Sequence, residues 1–105
     1  MHKSPDLNDV VYFERCSQLI NILSNPKRLQ IVLALASSEQ SVKRLANHVN
    51  LSPSALSQHL AKMRDAGVVR TRREGVVVYY CLAVPELTGL VNETVLLIKE
   101  YSKKT

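Results

Sequence analysis

The sequence predicts one mainly α-helical domain that carries a single small β-hairpin, and three observations support this fold class. Asn25-Pro26 and Ser52-Pro53 each place a capping side chain before a proline, which is a common start of a helix. Residues 68–82 are rich in β-branched and aromatic residues and therefore favour strands. With 105 residues, three glycines and no tryptophan, the chain suits a single domain with an aliphatic core rather than an all-β fold.

The first two helices precede a polar connector. Asp6 or Asn8 can cap a first helix that runs to about Leu23. Its apolar residues occupy more than one stripe, so we expect one face in the core and another against a partner. Pro26 begins a second helix with the run LQIVLALA, which indicates a buried central helix. Residues 37–40 are predicted to form the connector.

Two further helices are separated by a tight turn. Ser41 caps a short helix, and residues 50–52 form the turn before the helix that begins at Pro53. This helix is expected to end at about Ala66, because Gly67 suits the left-handed geometry of a C-terminal cap. Its inward face is predicted to consist of Ala55, Leu56, Leu60 and Met63. Its outward face is polar and consists of Ser54, Ser57, Gln58, His59 and Lys62.

A β-hairpin and a last helix complete the fold. Strands are predicted at residues 68–73 and 76–82, with the turn at residues 74–75. Pro85 opens a last helix with a broad apolar face that runs to about Tyr101. The whole chain, residues 1–105, is predicted to be one domain with disordered tails at residues 1–5 and 103–105.

Positive charge is concentrated in the middle of the chain. Residues 26–73 hold nine bases and two acids, a net charge of +7, whereas the remaining residues carry −2. This asymmetry favours a polyanionic partner, nucleic acid first, although a solvated surface with a modest positive excess would look the same.

The order of helix, turn, helix and hairpin in this basic region predicts a winged helix-turn-helix. Such a fold presents the polar face of its second helix to the major groove of double-stranded DNA. The residues expected to contact base edges are Ser57, Gln58 and His59, although His59 could instead be a structural hydrogen-bonding residue. The cations expected on the DNA backbone or at the wing are Lys27, Arg28, Lys43, Arg44, Lys62, Arg72 and Arg73.

Three segments resemble a known family. They read NPKRLQIVLAL, SVKRLA and LSPSALSQHLAKMRDAGVVRTRREGVVVYY. Over residues 19–101 the chain resembles the ArsR/SmtB family of bacterial winged-helix repressors. The resemblance implies a homodimer built from the first and last helices, with two recognition helices about 34–36 Å apart on an imperfect inverted repeat. It also adds Ser54 to the base contacts and Arg70 to the wing contacts, with the alternative that Ser54 only serves the helix start.

The sensor sites of that family are not found in this sequence. The segment that matches its Cys-x-Cys site, SSEQSVKRLA, has neither Cys nor His. Its second metal site falls on Val84, Glu86, Leu97 and Glu100, a poor set of ligands for a soft metal. The segments SVKRLA and SALSQHL most resemble the redox branch of the family and its relatives without cysteine, but the cysteine pair of that branch falls on Leu33 and Lys99. The sequence therefore predicts no metal and no cofactor, and it leaves the inducer unknown.

The two cysteines present, Cys16 and Cys81, are interpreted as small buried hydrophobic residues, with a redox switch as the alternative.

Two cysteines cannot make a disulfide scaffold, so we expect the protein to reside in the reducing cytoplasm of a bacterium, at the nucleoid. We also expect no association with a membrane. No arrangement typical of catalysis is present, so the protein is not expected to be an enzyme. The competing hypothesis is a winged-helix module that binds protein or RNA without specific DNA binding.

Overall fold

The computed structural model of the chain describes residues 6–104. The helices and strands are α1 (Val10–Leu23), α2 (Pro26–Ala34), β1 (Gln40–Ser41), α3 (Val42–Val49), α4 (Pro53–Asp65), β2 (Val69–Glu74), β3 (Val77–Leu82) and α5 (Leu87–Lys104). This order confirms the predicted helical fold with one hairpin. Across residues 6–104, no helix combines the length and the hydrophobicity that a membrane span requires.

Three of the helix starts are fixed by local hydrogen bonds, as the sequence predicts. The side chains of Asn25, Ser41 and Ser52 each accept a hydrogen bond from a backbone N–H in the first turn of the helix that follows. Proline occupies the first position of α2 and of α4, where its missing N–H costs nothing. These caps place α3 and α4 at fixed points in the chain, with Asn50 in the left-handed conformation at the turn between them.

The ends of the two outer helices differ from the prediction. Asp9 holds the N-cap position of α1 and its side chain makes no cap hydrogen bond. The Asp6 carboxylate instead accepts the N–H of Asn8 at 2.9 Å, so neither predicted residue caps the helix. At the other end, α5 continues to Lys104, so the tail predicted at residues 103–105 is helical at 103 and 104. Residues 1–5 and 105 of the predicted tails lie outside the described residues.

The hairpin belongs to a three-stranded antiparallel sheet with the order β1-β3-β2. The residue pairs of β2 and β3 run from Val69 and Leu82 to Glu74 and Val77, so the turn lies at residues 75–76, one position later than predicted. Strand β1 replaces the end of the predicted connector and pairs with β3 at residues 79–80. It joins the hairpin to the start of α3.

The core lies between α2, α3, α4, the start of α5 and the inner face of the sheet. Its best-buried members are Ile31, Val32, Leu45, Leu56, Leu60, Met63, Val68 and Val91. The predicted inward face of α4 is confirmed at its three large residues, and Ala55 is half-buried. Close packing of this kind fixes the rotation of α4 about its own axis, so its polar side is turned to the solvent.

Helices α1 and α5 are mostly unpacked in the single chain. Residues 10–18 of α1 are all exposed, and only the last turn, with Leu19, Ile22 and Leu23, contacts the core. The expectation that α1 buries a whole face in its own core therefore holds only for this last turn. Helix α5 packs through Leu87 and Val91, and residues 92–103 are exposed.

Candidate nucleic-acid interface

The outward face of α4 carries the side chains that were predicted to contact DNA bases. Ser54, Ser57 and Gln58 are exposed, at a spacing that places them on one side of the helix. His59 is half-buried at the flank of this face. Ser52 lies just before the helix, and its hydroxyl accepts the N–H of Ala55 at 3.1 Å, as a cap should.

His59 is held in one hydrogen-bonding state. Its Nδ1 accepts a hydrogen bond from Nε of Arg28 at 3.2 Å. A neutral imidazole that accepts at Nδ1 carries its proton on Nε2, so Nε2 is a donor. Desolvation by burial, followed by the positive charges of Arg28 and Lys62, lowers the pKa of His59 below 6.5. The side chain therefore offers a neutral N–H donor beside the exposed face of α4.

Two of the cations that were predicted to contact the DNA backbone make internal contacts. Arg28 also donates through Nη1 to the carbonyl of Ile22 at 3.2 Å. Lys27 donates through Nζ to the carbonyl of Val49 at 2.7 Å, at the negative end of the α3 dipole. Both side chains thus connect the start of α2 with neighbouring helices.

Four other predicted cations are exposed, and within residues 6–104 no hydrogen bond or ion pair engages their side-chain charge. We call this set the open cations: Lys43, Arg44, Lys62 and Arg73. The first two lie in the first turn of α3, the third on the outward side of α4, and the last near the tip of the hairpin. They thus lie on the helix-turn-helix and on the wing, the elements that would follow the DNA backbone.

The wing arginines occupy different faces of the sheet. Since side chains alternate along a strand, Arg73 shares the inner face with the buried Val69, whereas Arg70 and Arg72 lie on the outer face. Arg70 donates through Nε to the Sγ of Cys81 at 3.4 Å. Arg72 forms ion pairs with Glu39 and with Glu74. Nothing in the sequence around Glu39 signalled that contact, which spans 33 positions.

The ion pairs hold Arg72 and its main partner in their charged forms. The hydrogen bond to Arg72 lowers the pKa of Glu39 below its ordinary value. The hydrogen bonds to Glu39 and then Glu74 raise the pKa of Arg72 further above its ordinary value. Two carboxylates therefore offset the positive charge that was predicted to face a phosphate.

The cysteines do not form a pair. Cys16 is exposed on α1, and Cys81 is half-buried on β3; both are free thiols. The interpretation of Cys16 as a buried residue is wrong for the single chain. Among residues 6–104, no group of three or more His, Cys, Asp and Glu side chains is placed to hold a metal ion.

The chain is similar to bacterial regulators over most of its length. Residues 25–71, from the cap of α2 into β2, match the model of the family described as bacterial regulatory protein, arsR family. The transcriptional activator HlyU of Vibrio cholerae is 42% identical over 74 residues, which cover 70% of this chain and 68% of that protein. The nodulation protein NolR of Rhizobium meliloti is 45% identical over 83 residues, which cover 76% and 68% respectively.

A solved structure extends the similarity to the whole fold. The crystal structure of the transcriptional repressor BigR from Xylella fastidiosa superposes with a TM-score of 0.78 at 30% identity, covering 89% of this chain and 96% of that one. The segment matched by the family model includes the helix-turn-helix and all the predicted base contacts on α4. The chain therefore belongs to the arsR family of bacterial regulatory proteins and is a winged helix-turn-helix DNA-binding regulator of transcription, not an enzyme.

Proposed function

We propose that the protein acts as a homodimeric repressor that binds an imperfect inverted repeat of double-stranded DNA. In this proposal the chain is one domain, α4 enters the major groove, and the hairpin of β2 and β3 lies on the backbone or in the minor groove. The observation that carries the proposal is the outward face of α4, where Ser54, Ser57 and Gln58 are exposed on the same helix as Lys62, one of the open cations. Polar side chains on an unpacked helix face are what direct base contacts require.

Each side chain on α4 offers a distinct type of base contact. The amide of Gln58 can donate and accept at the same time, which suits adenine in the major groove. The hydroxyls of Ser54 and Ser57 can serve several bases because each is both donor and acceptor. His59 contributes the Nε2–H donor that follows from its bond to Arg28, and this donor suits a base or phosphate acceptor.

Contacts to the DNA backbone are assigned to the open cations first. Each positive charge that meets a phosphate releases counterions, so these residues supply affinity without sequence preference. Arg70 is a further candidate on the wing, since a bond to a thiol leaves its charge uncompensated. Lys27 and Arg28 were predicted in the same role, and their internal bonds suit them better to holding the helices in place.

The dimer interface is assigned to the unpacked faces of α1 and α5. An apolar groove between α2 and α5 is lined by Leu29, Val91, Thr94, Val95, Ile98 and Lys99. Beside it, α1 leaves nine consecutive residues, 10–18, exposed, among them Val10, Val11 and Phe13. A helix of 14 residues that packs only through its last turn needs tertiary support to remain folded. A second copy supplies that support on both sides of a two-fold axis.

The sense of regulation and the cellular location are part of the proposal. Relatives carry the names of an activator and of a repressor, and a dimer seated on two half-sites most simply blocks access to a promoter. We place the protein in the cytoplasm, at the nucleoid.

No inducer is assigned. The exposed Cys16 is the candidate for an oxidation-sensitive position, because it lies on the helix proposed to join the two copies.

Selection from a randomised duplex pool tests the proposal. Reduced protein is titrated against the pool at two salt concentrations, and the bound DNA is sequenced. We expect an inverted repeat whose half-site centres lie about 10–10.5 base pairs apart, with affinity that falls steeply with salt. Weak binding without sequence preference would instead favour a module that recognises protein or RNA. Repeating the titration after mild oxidation, with Cys16→Ser as control, tests the redox hypothesis separately.

A further inference from the structure

One arginine on the wing reaches across the whole sheet. Arg72 lies on the edge strand β2, Tyr79 is its neighbour on the central strand β3, and Ser41 on the opposite edge strand β1 pairs with Tyr79. The guanidinium of Arg72 lies over the ring of Tyr79, 4.8 Å from its centroid. It ends at Glu39, which precedes β1 by one residue. The side chain thus passes over the central strand and joins the two edges.

The contact between Arg72 and Glu39 is extensive for a surface pair. Nε of Arg72 donates to both carboxylate oxygens of Glu39, at 3.0 and 3.1 Å, and Nη2 donates to Oε1 as well. The remaining side of the guanidinium donates through Nη1 to Glu74 at 2.8 Å. Multiple bonds from one planar fork fix the direction of both side chains, which a single-point ion pair does not do.

The contact joins the parts of the fold that the proposed function brings to DNA. Strand β1 is only two residues long and runs directly into α3, whose N-cap is Ser41. Strand β1 pairs with β3 at only two residues, so few ladder hydrogen bonds hold β1 and the start of α3 against the hairpin. The bond from Arg72 to Glu39 adds a second link on the same side. It constrains the angle between the hairpin and the helix-turn-helix.

The charges around Arg72 also favour a structural role over a contact with a phosphate. Arg72 faces two carboxylates, so the cluster of these three side chains is formally −1. A phosphate would have to displace Glu39 or Glu74 before it could reach the guanidinium. Arg73, the next residue, is exposed on the other face of the strand, and within residues 6–104 its side chain forms no ion pair.

We propose that Glu39 and Arg72 form a cross-sheet clamp that sets the orientation of the wing for operator binding. Both are positioning residues, and neither touches DNA. The inference rests on the proposed operator binding, and it replaces the role of phosphate contact that the sequence suggests for Arg72. It predicts that an acidic residue, Glu39, is needed for affinity to a polyanion.

The two carboxylates on Arg72 provide a matched comparison. Glu39→Gln and Glu74→Gln each remove one negative charge beside the same arginine, but only the first breaks a contact between β2 and the segment that leads into β1. Removal of negative charge alone should strengthen DNA binding in both variants. The clamp instead predicts about two- to fivefold weaker operator binding for Glu39→Gln, the size expected for an exposed ion-pair network, and unchanged or tighter binding for Glu74→Gln. Wild-type-like or tighter binding by Glu39→Gln would overturn the proposal.

Arg72→Lys separates positioning from phosphate contact. Lysine keeps the charge but cannot hold Glu39 through several bonds at once. The clamp predicts that Arg72→Lys and Arg72→Ala lose about as much affinity as Glu39→Gln and keep the wild-type salt dependence. A salt slope lowered by about 0.9 in Arg72→Ala, with full affinity in Arg72→Lys, would assign a phosphate to Arg72 and overturn the clamp.

A measurement on the protein without DNA tests the clamp independently of the proposed function. In an antiparallel pair, only one of two consecutive residues donates its amide to the partner strand, so either Gln40 or Ser41 bonds to β3, and hydrogen exchange of that protected amide reports the opening of β1. The clamp predicts faster exchange at this amide in Glu39→Gln than in wild type or Glu74→Gln, at equal urea midpoints. Equal exchange in all three proteins would overturn it. Failure of the wild type to bind a selected operator would reject the proposed function and leave this result standing.

Discussion

Nε of Arg28 donates a hydrogen bond to Nδ1 of His59 across 3.2 Å, and the same guanidinium holds the carbonyl of Ile22. One side chain thereby joins the last turn of α1, the first turn of α2 and the recognition helix α4. Since α1 carries the exposed apolar surface assigned to the dimer and α4 carries the base contacts, the two proposed interfaces are connected through a single residue. The orientation of His59 depends on this connection.

The lowered pKa of His59 predicts that the free energy of unfolding depends on pH. Its pKa in the folded chain is lowered from 6.5, so the unfolded chain binds more protons as the pH falls below about 6.5. The free energy of unfolding should therefore decrease from pH 7.5 to pH 5.5. His59→Gln removes the titrating group and should reduce that decrease. Urea unfolding at both pH values measures the difference. An identical decrease in His59→Gln and wild type would contradict the prediction.

Gln58 is expected to determine sequence preference. Gln58→Ala should weaken binding to the selected operator by about 1–3 kcal/mol and relax the preference at one base pair of each half-site. Gln30→Ala is the control, because Gln30 is an exposed glutamine on α2, outside the polar face of α4. Competition titrations against operators with single substitutions measure both effects. Equal losses on all sequences would mean that Gln58 contacts the backbone instead.

Arg73 is expected to contact a phosphate from the tip of the wing. Arg73→Ala should weaken binding to all duplexes to a similar extent and lower the slope of log affinity against log salt by about 0.9. Lys103→Ala removes the same charge from the far end of α5 and should leave the slope unchanged. Fluorescence anisotropy at four salt concentrations gives the slopes. A change of preference at one base pair, with an unchanged slope, would instead assign Arg73 to a base.

The features that the sequence predicts well are those that local chemistry determines. The caps at Asn25, Ser41 and Ser52 depend on neighbouring residues, so the starts of α2, α3 and α4 follow from short patterns. The burial of one side of α4 follows from helical spacing. The polar face and its candidate base contacts can therefore be predicted from the sequence.

The features that the sequence misses depend on residues far apart in the chain. Strand β1 has two residues, too few for an alternating pattern, and exists because β3 lies beside it. The partners of Arg28 and Arg72 are 31 and 33 positions away, and neither pair shows a local signal. A basic residue in a basic region looks like a DNA contact until its internal partner is known. Such a cation is better assigned to an internal contact than to DNA when the fold places a carboxylate, a carbonyl or an imidazole within reach of its side chain.

The apolar groove predicts the effect of a charge on the oligomeric state. Val95 lines the groove and keeps 37% of its surface exposed in the single chain, so a glutamate there is solvated in the monomer and desolvated in a dimer. Val95→Glu should therefore retain the helical content of the fold but shift the protein to monomer. Glu93→Lys changes charge on the side of α5 turned away from the groove and should leave the dimer intact.

Sedimentation equilibrium and operator titration of the same samples test the dimer together with its role. A monomer engages one half-site at a time and loses the gain in effective concentration that the second half-site provides, so operator affinity should fall by about 10²-fold or more. The loss should be much smaller on a single half-site, because α4 and the wing are unchanged. Tight operator binding by Val95→Glu that sediments as a monomer would contradict the two-half-site arrangement. A stable dimer of this variant would place the interface elsewhere on the surface.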